Sequence, residues 1–260
     1  MSDTPESAGL LVQERGNVLW LTIDREERRN VLSHGVLAAM SQAIDAAQSR
    51  RELRAIVITG AGSKAFCSGA DLQSAQAFTT DYSEPVGHLA QLLRRARASN
   101  LPLIARVNGA CMAGGMGLLA MCDLAVACSH AVFGLPEVKV GVFPAQVLTV
   151  LQHLIPRRKL AEMCLTGEPL TSAQALEYDL VNYVADDVDA ALDWLMGRLL
   201  DKSPAAIRRG LYTMKGIQAM SFEESMAFTE SQIALFTLTD DAREGQLAFR
   251  QKRKPEWKGS

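Results

Sequence analysis

The sequence predicts an α/β fold that ends in a helical region, and two observations support this prediction. Over the first two thirds of the chain, short apolar segments typical of buried strands alternate with segments of helical spacing. Beyond residue 200 the helical spacing continues and the strand-like segments stop. We therefore expect a core of residues 1–200 followed by a helical subdomain of residues 201–260, both within one domain.

The individual elements follow from the spacing of apolar residues. Residues 11–15 and 18–23 flank Gly16 and Asn17, a turn that predicts a β-hairpin. Further strands are predicted at residues 54–60, 103–107, 124–128 and 180–184. Helices are predicted at residues 37–47, 86–98, 145–155, 157–166, 172–177, 187–200, 204–218, 222–238 and 242–252.

The composition excludes several classes of protein. The 260 residues include 27 Lys and Arg against 29 Asp and Glu, and this balance excludes a protein that mainly coats nucleic acid. Collagen-like and low-complexity chains are excluded by the ordinary content of 19 Gly and 9 Pro. The five cysteines are irregularly spaced without a C-x-x-C pair, which predicts reduced thiols and no metal site.

The start of the chain and its longest apolar run favour a cytoplasmic protein that does not enter membranes. Residues 1–6 contain neither a basic stretch nor an apolar stretch, so we expect no secretory signal. The longest uncharged apolar run covers residues 109–122, and this run is too short to cross a bilayer.

Three glycine-rich segments predict a binding site. They cover residues 64–72, 107–117 and 133–144, and the first two directly follow predicted strands. A strand exit that leads into a helix presents free backbone N–H groups, which bind anions and developing oxyanions. Each segment alone is typical of ordinary turns. Three of them, with a Pro-Glu pair in the third, favour a site.

With these three segments, the sequence resembles the crotonase (enoyl-CoA hydratase/isomerase) superfamily over nearly the whole chain. Besides the glycine-rich segments, the resemblance rests on residues 21–25, 29–32, 165–168, 172–176 and 249–255. It implies a spiral of β-β-α turns and a helical C-terminal region used in trimer assembly, with trimers often pairing into hexamers. It also implies an acyl-CoA substrate, and no cofactor is expected because CoA is part of that substrate.

The resemblance also implies the catalytic residues. Ala70 and Gly114 match the two backbone N–H donors that hold the thioester oxygen, and Glu137 matches a family glutamate. Hydratases of the family carry a second glutamate where this sequence has Gly117. Hydration benefits from two carboxylates, which together orient the water and transfer its proton. Isomerisation needs only one base, which moves a proton from C2 to C4. The pattern is therefore similar to the 3,2-enoyl-CoA isomerase branch.

Further matches concern substrate binding. Lys64, Ser68 and Leu72 match positions that line the adenine and phosphate ends of CoA in relatives. Lys252 matches a lysine that reaches a CoA phosphate. For each of these, a solvated surface position is the competing interpretation.

Three residues of the predicted acyl pocket are less easily interpreted. Gly117 either gives room to a bulky acyl group or allows close packing of a helix. Ala145 can offer its N–H to a water, and Gln146 either directs its side-chain amide into the pocket or only begins a helix.

Two other functions remain open from the sequence. Residues 115–120 fit the G-x-G-x-x-A pattern of a dinucleotide site, with Glu137 about twenty residues later, although several residues separate Gly115 from the strand end. Alternatively, the loss of one glutamate at Gly117 indicates a catalytically weak acyl-CoA-binding protein. Quenching of NADH fluorescence tests the first alternative, and turnover of enoyl-CoA thioesters tests the second.

Overall fold

The computed structural model describes residues 9–71, 83 and 85–260 of the chain, and its strands form two sheets. The first sheet has the order β1-β2-β3-β5-β7-β10, and the second has the order β4-β6-β8-β9. The strands are β1 (Leu10–Arg15), β2 (Val18–Ile23), β3 (Ala55–Gly60), β4 (Ala65–Cys67), β5 (Leu103–Val107), β6 (Ala110–Met112), β7 (Leu124–Cys128), β8 (Val132–Gly134), β9 (Leu170–Thr171) and β10 (Tyr183–Ala185).

Ten helices surround and follow these strands in the described part of the chain. They are α1 (His34–Gln48), α2 (His88–Ala98), α3 (Gly114–Ala120), α4 (Ala145–Leu151), α5 (Arg157–Thr166), α6 (Ser172–Glu177), α7 (Val188–Leu200), α8 (Pro204–Ile217), α9 (Phe222–Phe236) and α10 (Asp240–Gln251). Two short 3-10 helices cover Glu26–Arg28 and Pro136–Val140. Among the described helices, none is both long and apolar enough to cross a membrane.

The chain repeats a unit of two strands and a connection. β3 lies in the first sheet and β4 in the second; β5 and β6 repeat this, as do β7 and β8. Within each sheet the successive strands pair in parallel, from β2 to β10 and from β4 to β8, while β1 and β9 pair antiparallel. This arrangement confirms the expected spiral of β-β-α turns with a helical C-terminal region.

Most predicted elements are present, many of them with slightly different bounds, and two of the differences have a clear local cause. The strand predicted at residues 180–184 is displaced to Tyr183–Ala185, because the N–H groups of Leu180 and Val181 donate to the carbonyl of Ala175. The helix predicted at residues 145–155 ends at Leu151, since Pro156 disfavours helical backbone before it.

Two cations fix α8 to the core. Arg208 donates hydrogen bonds of 2.7–3.2 Å to three main-chain carbonyls near the end of α1 and to Oδ1 of Asn100. Lys215 donates to two carbonyls at the end of α2 and pairs with Asp123 at 3.0 Å. Cations are favoured at helix C-termini because the last carbonyls lack intrahelical partners. The first helix after residue 200 is thereby anchored to the α/β core.

Candidate active site

Ala70 lies in the segment that leaves strand β4. This segment forms a bridge with the chain before α1: the N–H of Leu32 donates to the carbonyl of Gly69 at 2.8 Å, and the N–H of Asp71 donates to the carbonyl of Leu32 at 3.2 Å. Successive N–H groups alternate in direction along an extended segment. The N–H of Ala70 therefore points away from Leu32, and it donates to no described residue.

Gly114 opens helix α3 directly after a strained residue. Ala113 has φ 52° and ψ −120°, a conformation that L-residues rarely adopt, and its N–H donates to the carbonyl of Gly134 at 2.9 Å. The first N–H groups of a helix have no acceptor inside it. In the described structure the N–H of Gly114 is accordingly an unused donor at the positive end of the helix.

The two donors lie next to each other because Gly69 has no side chain. A Cβ on Gly69, whose φ is +88°, would stand 2.6 Å from Cβ of Ala113 and 3.1 Å from the nitrogen of Gly114. A Cβ on Gly114 would stand 3.9 Å from the nitrogen of Ala70. Two unused, adjacent N–H groups form the arrangement that stabilises an oxyanion.

Glu137 lies in the 3-10 helix Pro136–Val140, and one oxygen of its carboxyl group has no partner among the described residues. The side chain is half-buried, and its Oε2 is buried without a hydrogen-bond partner among the described residues. Burial raises the pKa of Glu137, while a hydrogen bond from its own backbone acts in the opposite direction. A carboxyl group with a raised pKa and an unused oxygen is suited to act as a general base.

The segment that carries Glu137 begins beside the oxyanion pair. Strand β8 ends at Gly134, which pairs with Met112 of β6 and accepts the N–H of Ala113. Cys164 of α5 is also close, since the charge of Glu137 adds to the burial that raises the pKa of this thiol. The short second sheet therefore positions both the strained residue before Gly114 and the chain leading to Glu137.

Gly117 is buried in α3, and a side chain of α4 occupies the space next to it. A Cβ on Gly117 would stand 2.8 Å from Cγ1 of Val147, which is itself 3% exposed. Real Cβ contacts of this length essentially never occur, so the missing side chain allows the two helices to pack closely. Of the two interpretations of Gly117, the structure favours helix packing over room for an acyl group.

The expected roles of Ala145 and Gln146 stay predictions. The N–H of Ala145 donates to the carbonyl of Phe143 at 2.8 Å, so a water would compete with this carbonyl for the same donor. Gln146 is exposed, and its Nε2 stands 4.0 Å from where a Cβ on Gly87 would lie, beside the start of α2. Its contact with substrate stays a prediction.

The residues expected to bind CoA are dispersed, and their contacts with CoA stay predictions. Lys64 is exposed just before β4, and Ser68 donates from its hydroxyl to the carbonyl of Arg29 at 2.8 Å. Lys252 is exposed at the end of α10 with left-handed backbone. Leu72 lies outside the described residues.

Sequence reasoning missed two residues beside the site. Val147 carried no signal because its contact with Gly117 joins two helices. Asp71 did carry one, since it is a carboxylate within an apolar, glycine-rich segment, and a buried carboxylate requires a cationic partner. Its partners are Arg25 and Arg28.

The sequence is similar to a known protein family over almost its whole length. The family model described as enoyl-CoA hydratase/isomerase matches residues 13–260. The chain belongs to this family. The resemblance to the crotonase superfamily is thereby confirmed, and the protein is an enzyme of the enoyl-CoA hydratase/isomerase family.

Relatives of the enzyme cover almost its whole length. It is 33% identical to a 2,3-dehydroadipyl-CoA hydratase of Escherichia coli, over 96% of this chain and 98% of that protein. It is 34% identical to a mevalonyl-coenzyme A hydratase of Aspergillus fumigatus, over 94% of this chain and 92% of that one. A solved enoyl-CoA hydratase of Mycobacterium smegmatis superposes with a TM-score of 0.90 at 31% identity, covering 96% of this chain and 98% of the other.

The pattern that resembled a dinucleotide site has another explanation in this fold. A Cβ on Gly115 would stand 2.4 Å from the carbonyl oxygen of Cys67 in β4. Gly115 and Gly117 therefore face protein atoms of β4 and α4, which leaves no approach for a pyrophosphate at these glycines.

Proposed function

We propose that this enzyme moves the double bond of an enoyl-CoA between C3 and C2, with Glu137 as its single acid/base. The observation that carries the proposal is the carboxyl group of Glu137, whose Oε2 is buried without a partner among the described residues. In the same site, the position of a second carboxylate is Gly117, which is covered by Val147.

The reaction follows from these groups. The carboxylate of Glu137 takes a proton from C2 of a 3-enoyl-CoA, and the electron pair of the C–H bond passes to the thioester oxygen. The N–H groups of Ala70 and Gly114 stabilise this enolate, and one such donor contributes roughly 2.7–4 kcal/mol to a transition state. Glu137 then returns the proton at C4, which forms the 2-enoyl-CoA and restores the carboxylate.

Hydration is less well supported by this site than isomerisation. Addition of water requires a group that orients the water in addition to a group that protonates C2. The N–H of Ala145 is bonded to Phe143, and Gly117 offers no side chain. The relatives named as hydratases support an acyl-CoA substrate for this chain, and they leave the acyl chain open.

A catalytically weak acyl-CoA-binding protein is the alternative, and the packing of Val147 against Gly117 favours it. An apolar side chain occupies the space next to the position of the second carboxylate, and no other catalytic group replaces it there. Oε2 of Glu137, which is buried without a partner among the described residues, argues for catalysis, because retaining it costs stability in a protein that only binds.

A panel of 2-enoyl-CoA and 3-enoyl-CoA thioesters of several chain lengths tests the proposal, with products separated by mass spectrometry. We expect conversion of 3-enoyl to 2-enoyl thioesters to exceed formation of the 3-hydroxy product. Glu177→Gln, at an exposed position of α6, is the matched control for Glu137→Gln. Binding without turnover of any thioester would support the alternative.

We also propose the cofactor requirement, the location and the assembly of the enzyme. It requires no cofactor beyond the CoA of the substrate, and we place it in the cytoplasm. We further propose a homotrimer, or a hexamer of two trimers, assembled in part through the C-terminal helices. Large apolar side chains are exposed there, among them Phe222, Ile233, Leu238 and Phe249.

A further inference from the structure

Asp71 places a carboxylate next to the oxyanion donor Ala70. Its side chain is 7% exposed, and one oxygen accepts a hydrogen bond from Arg25 at 3.2 Å while the other accepts one from Arg28. A buried charge is tolerated only when it is paired and hydrogen-bonded. The position of Asp71 is therefore determined by the two guanidinium groups.

Arg25 connects Asp71 to the neighbouring segment. Its second terminal nitrogen donates to the carbonyl of Val31 at 3.3 Å, and its backbone N–H donates to the side chain of Asn30 at 3.2 Å. Asn30 is fully buried and donates in turn to the carbonyl of Ala65 at 2.7 Å. The guanidinium group of Arg25 thus connects the two segments of the chain that form the bridge between Leu32 and Ala70.

The same segment touches the second donor. Leu32 follows Val31 and forms the bridge with Ala70. Its Cδ1 stands 3.2 Å from where a Cβ on Gly114 would lie. A displacement of Leu32 would therefore change both donors of the oxyanion pair.

We propose that Asp71 and Arg25 are positioning residues that hold the N–H of Ala70 in register with the N–H of Gly114. This inference rests on the proposed function, because it assigns a role within the same oxyanion site. Neither side chain is required to touch the substrate. A misplacement of about 1 Å in catalytic geometry can cost roughly a hundredfold in rate.

The test uses butanoyl-CoA with a ¹³C-labelled carbonyl as the probe. Three quantities are measured: the rate of deuterium exchange at C2 under saturation, the dissociation constant, and the infrared stretching frequency of the bound carbonyl. The frequency reports hydrogen bonding to the thioester oxygen, and a merely structural role would not change it.

Asp71→Asn and Arg25→Lys are the variants. Asparagine keeps the shape and removes the charge, whereas lysine keeps the charge and loses the fork that reaches Val31 and Asp71 together. If Asp71→Asn fails to fold, Arg25→Lys decides the test. Asp123→Asn is the matched control, because Asp123 also pairs with a cation and accepts a backbone N–H, in its case from Leu103 at 2.9 Å.

We expect Asp71→Asn to lower the saturated exchange rate by about ten- to a hundredfold, with the dissociation constant changed less than about threefold. The bound carbonyl should shift towards its frequency in solution. Arg25→Lys should show the same changes to a smaller extent, and Asp123→Asn should lose stability while it keeps the rate and the frequency.

Two failures are distinguishable. In the first, the wild type exchanges and Glu137→Gln does not, so the proposed function stands. If folded Asp71→Asn then keeps both the exchange rate and the carbonyl frequency of the wild type, the positioning role is wrong. Arg25→Lys decides this point if Asp71→Asn does not fold. If the wild type does not exchange, or if Glu137→Gln exchanges as fast, the proposed function itself is wrong, and the positioning role fails with it.

Discussion

Val147 of α4 lies directly over Gly117 of α3, with its Cγ1 2.8 Å from the point that a Cβ on Gly117 would occupy. Both residues are buried. The position that holds a glutamate in hydratases of the resembling family is therefore closed by a neighbouring helix in this enzyme. Replacement of Gly117 alone is not expected to create a second carboxylate in the site.

The packing of Val147 against Gly117 can be tested by substitutions at both positions. We expect Gly117→Glu with Val147→Ala to raise hydration of 2-enoyl-CoA relative to isomerisation, because the second substitution removes the methyl groups that oppose the new side chain. Gly117→Glu alone should be destabilised by about 1–3 kcal/mol or more through overpacking. Product ratios and urea unfolding measure these effects.

Val147→Ala alone is the control for this pair. It creates a cavity without a carboxylate, so it should lower stability and leave the product ratio unchanged. A Gly117→Glu enzyme that is as stable as the wild type would show that Val147 does not occupy the position.

The pH dependence of isomerisation should follow Glu137. The base must be ionised, so kcat/KM falls as the pH is lowered through the pKa of Glu137. Because burial raises this pKa, the midpoint should lie above the ordinary glutamate value of 4.5.

The contribution of Glu137 to folding stability should depend on pH in the opposite direction from kcat/KM. With its pKa raised by folding, Glu137 binds protons more strongly in the folded state, and its contribution to stability is lost as the pH rises through that pKa. Glu137→Gln should remove this loss, so its melting temperature should exceed that of the wild type at neutral pH by more than at about pH 5. An equal difference at both pH values would contradict the raised pKa.

The anchoring of α8 is open to a stability measurement. Arg208→Ala leaves partly buried carbonyls near the end of α1 without their donor and should cost about 1–3 kcal/mol. Arg208→Lys should recover only part, since one ammonium group does not reproduce the guanidinium geometry. Arg243→Ala, at an exposed i,i+3 pair, is the control and should change stability by less than about 0.5 kcal/mol.

Assembly can be measured by light scattering at micromolar concentration. We expect a mass of three or six times the 28.2 kDa of one chain. Ile233→Glu, on an exposed apolar position of α9, should lower this mass, whereas Glu230→Gln on the same helix should not. A wild-type mass of one chain would contradict the proposed trimer.

The sequence was informative where structure depends on local spacing. Long strands such as β3 and helices such as α5 follow from apolar periodicity, and the family resemblance predicts the roles of Ala70, Gly114 and Glu137. Strands β4, β6, β8 and β9 were missed because two or three residues carry no measurable period.

Other features of the site depend on contacts between distant parts of the chain. Asp71 and Arg25 are 46 residues apart, and no local pattern joins them. The positive φ of Ala113 was also unpredictable, because alanine is not a residue that favours this conformation. Such strain persists only where the surrounding structure imposes it. At Ala113 the pairing of β6 with β8 does so.

Deuterium incorporation at C2 of butanoyl-CoA, followed by mass spectrometry, tests the central assignment of Glu137 most directly. The wild type should incorporate deuterium, and Glu137→Gln should lose this exchange while it binds the thioester with nearly unchanged affinity, because glutamine keeps the shape and removes the basicity. Glu177→Gln should exchange like the wild type. Exchange that persists at the wild-type rate in Glu137→Gln would show that another base operates in the site.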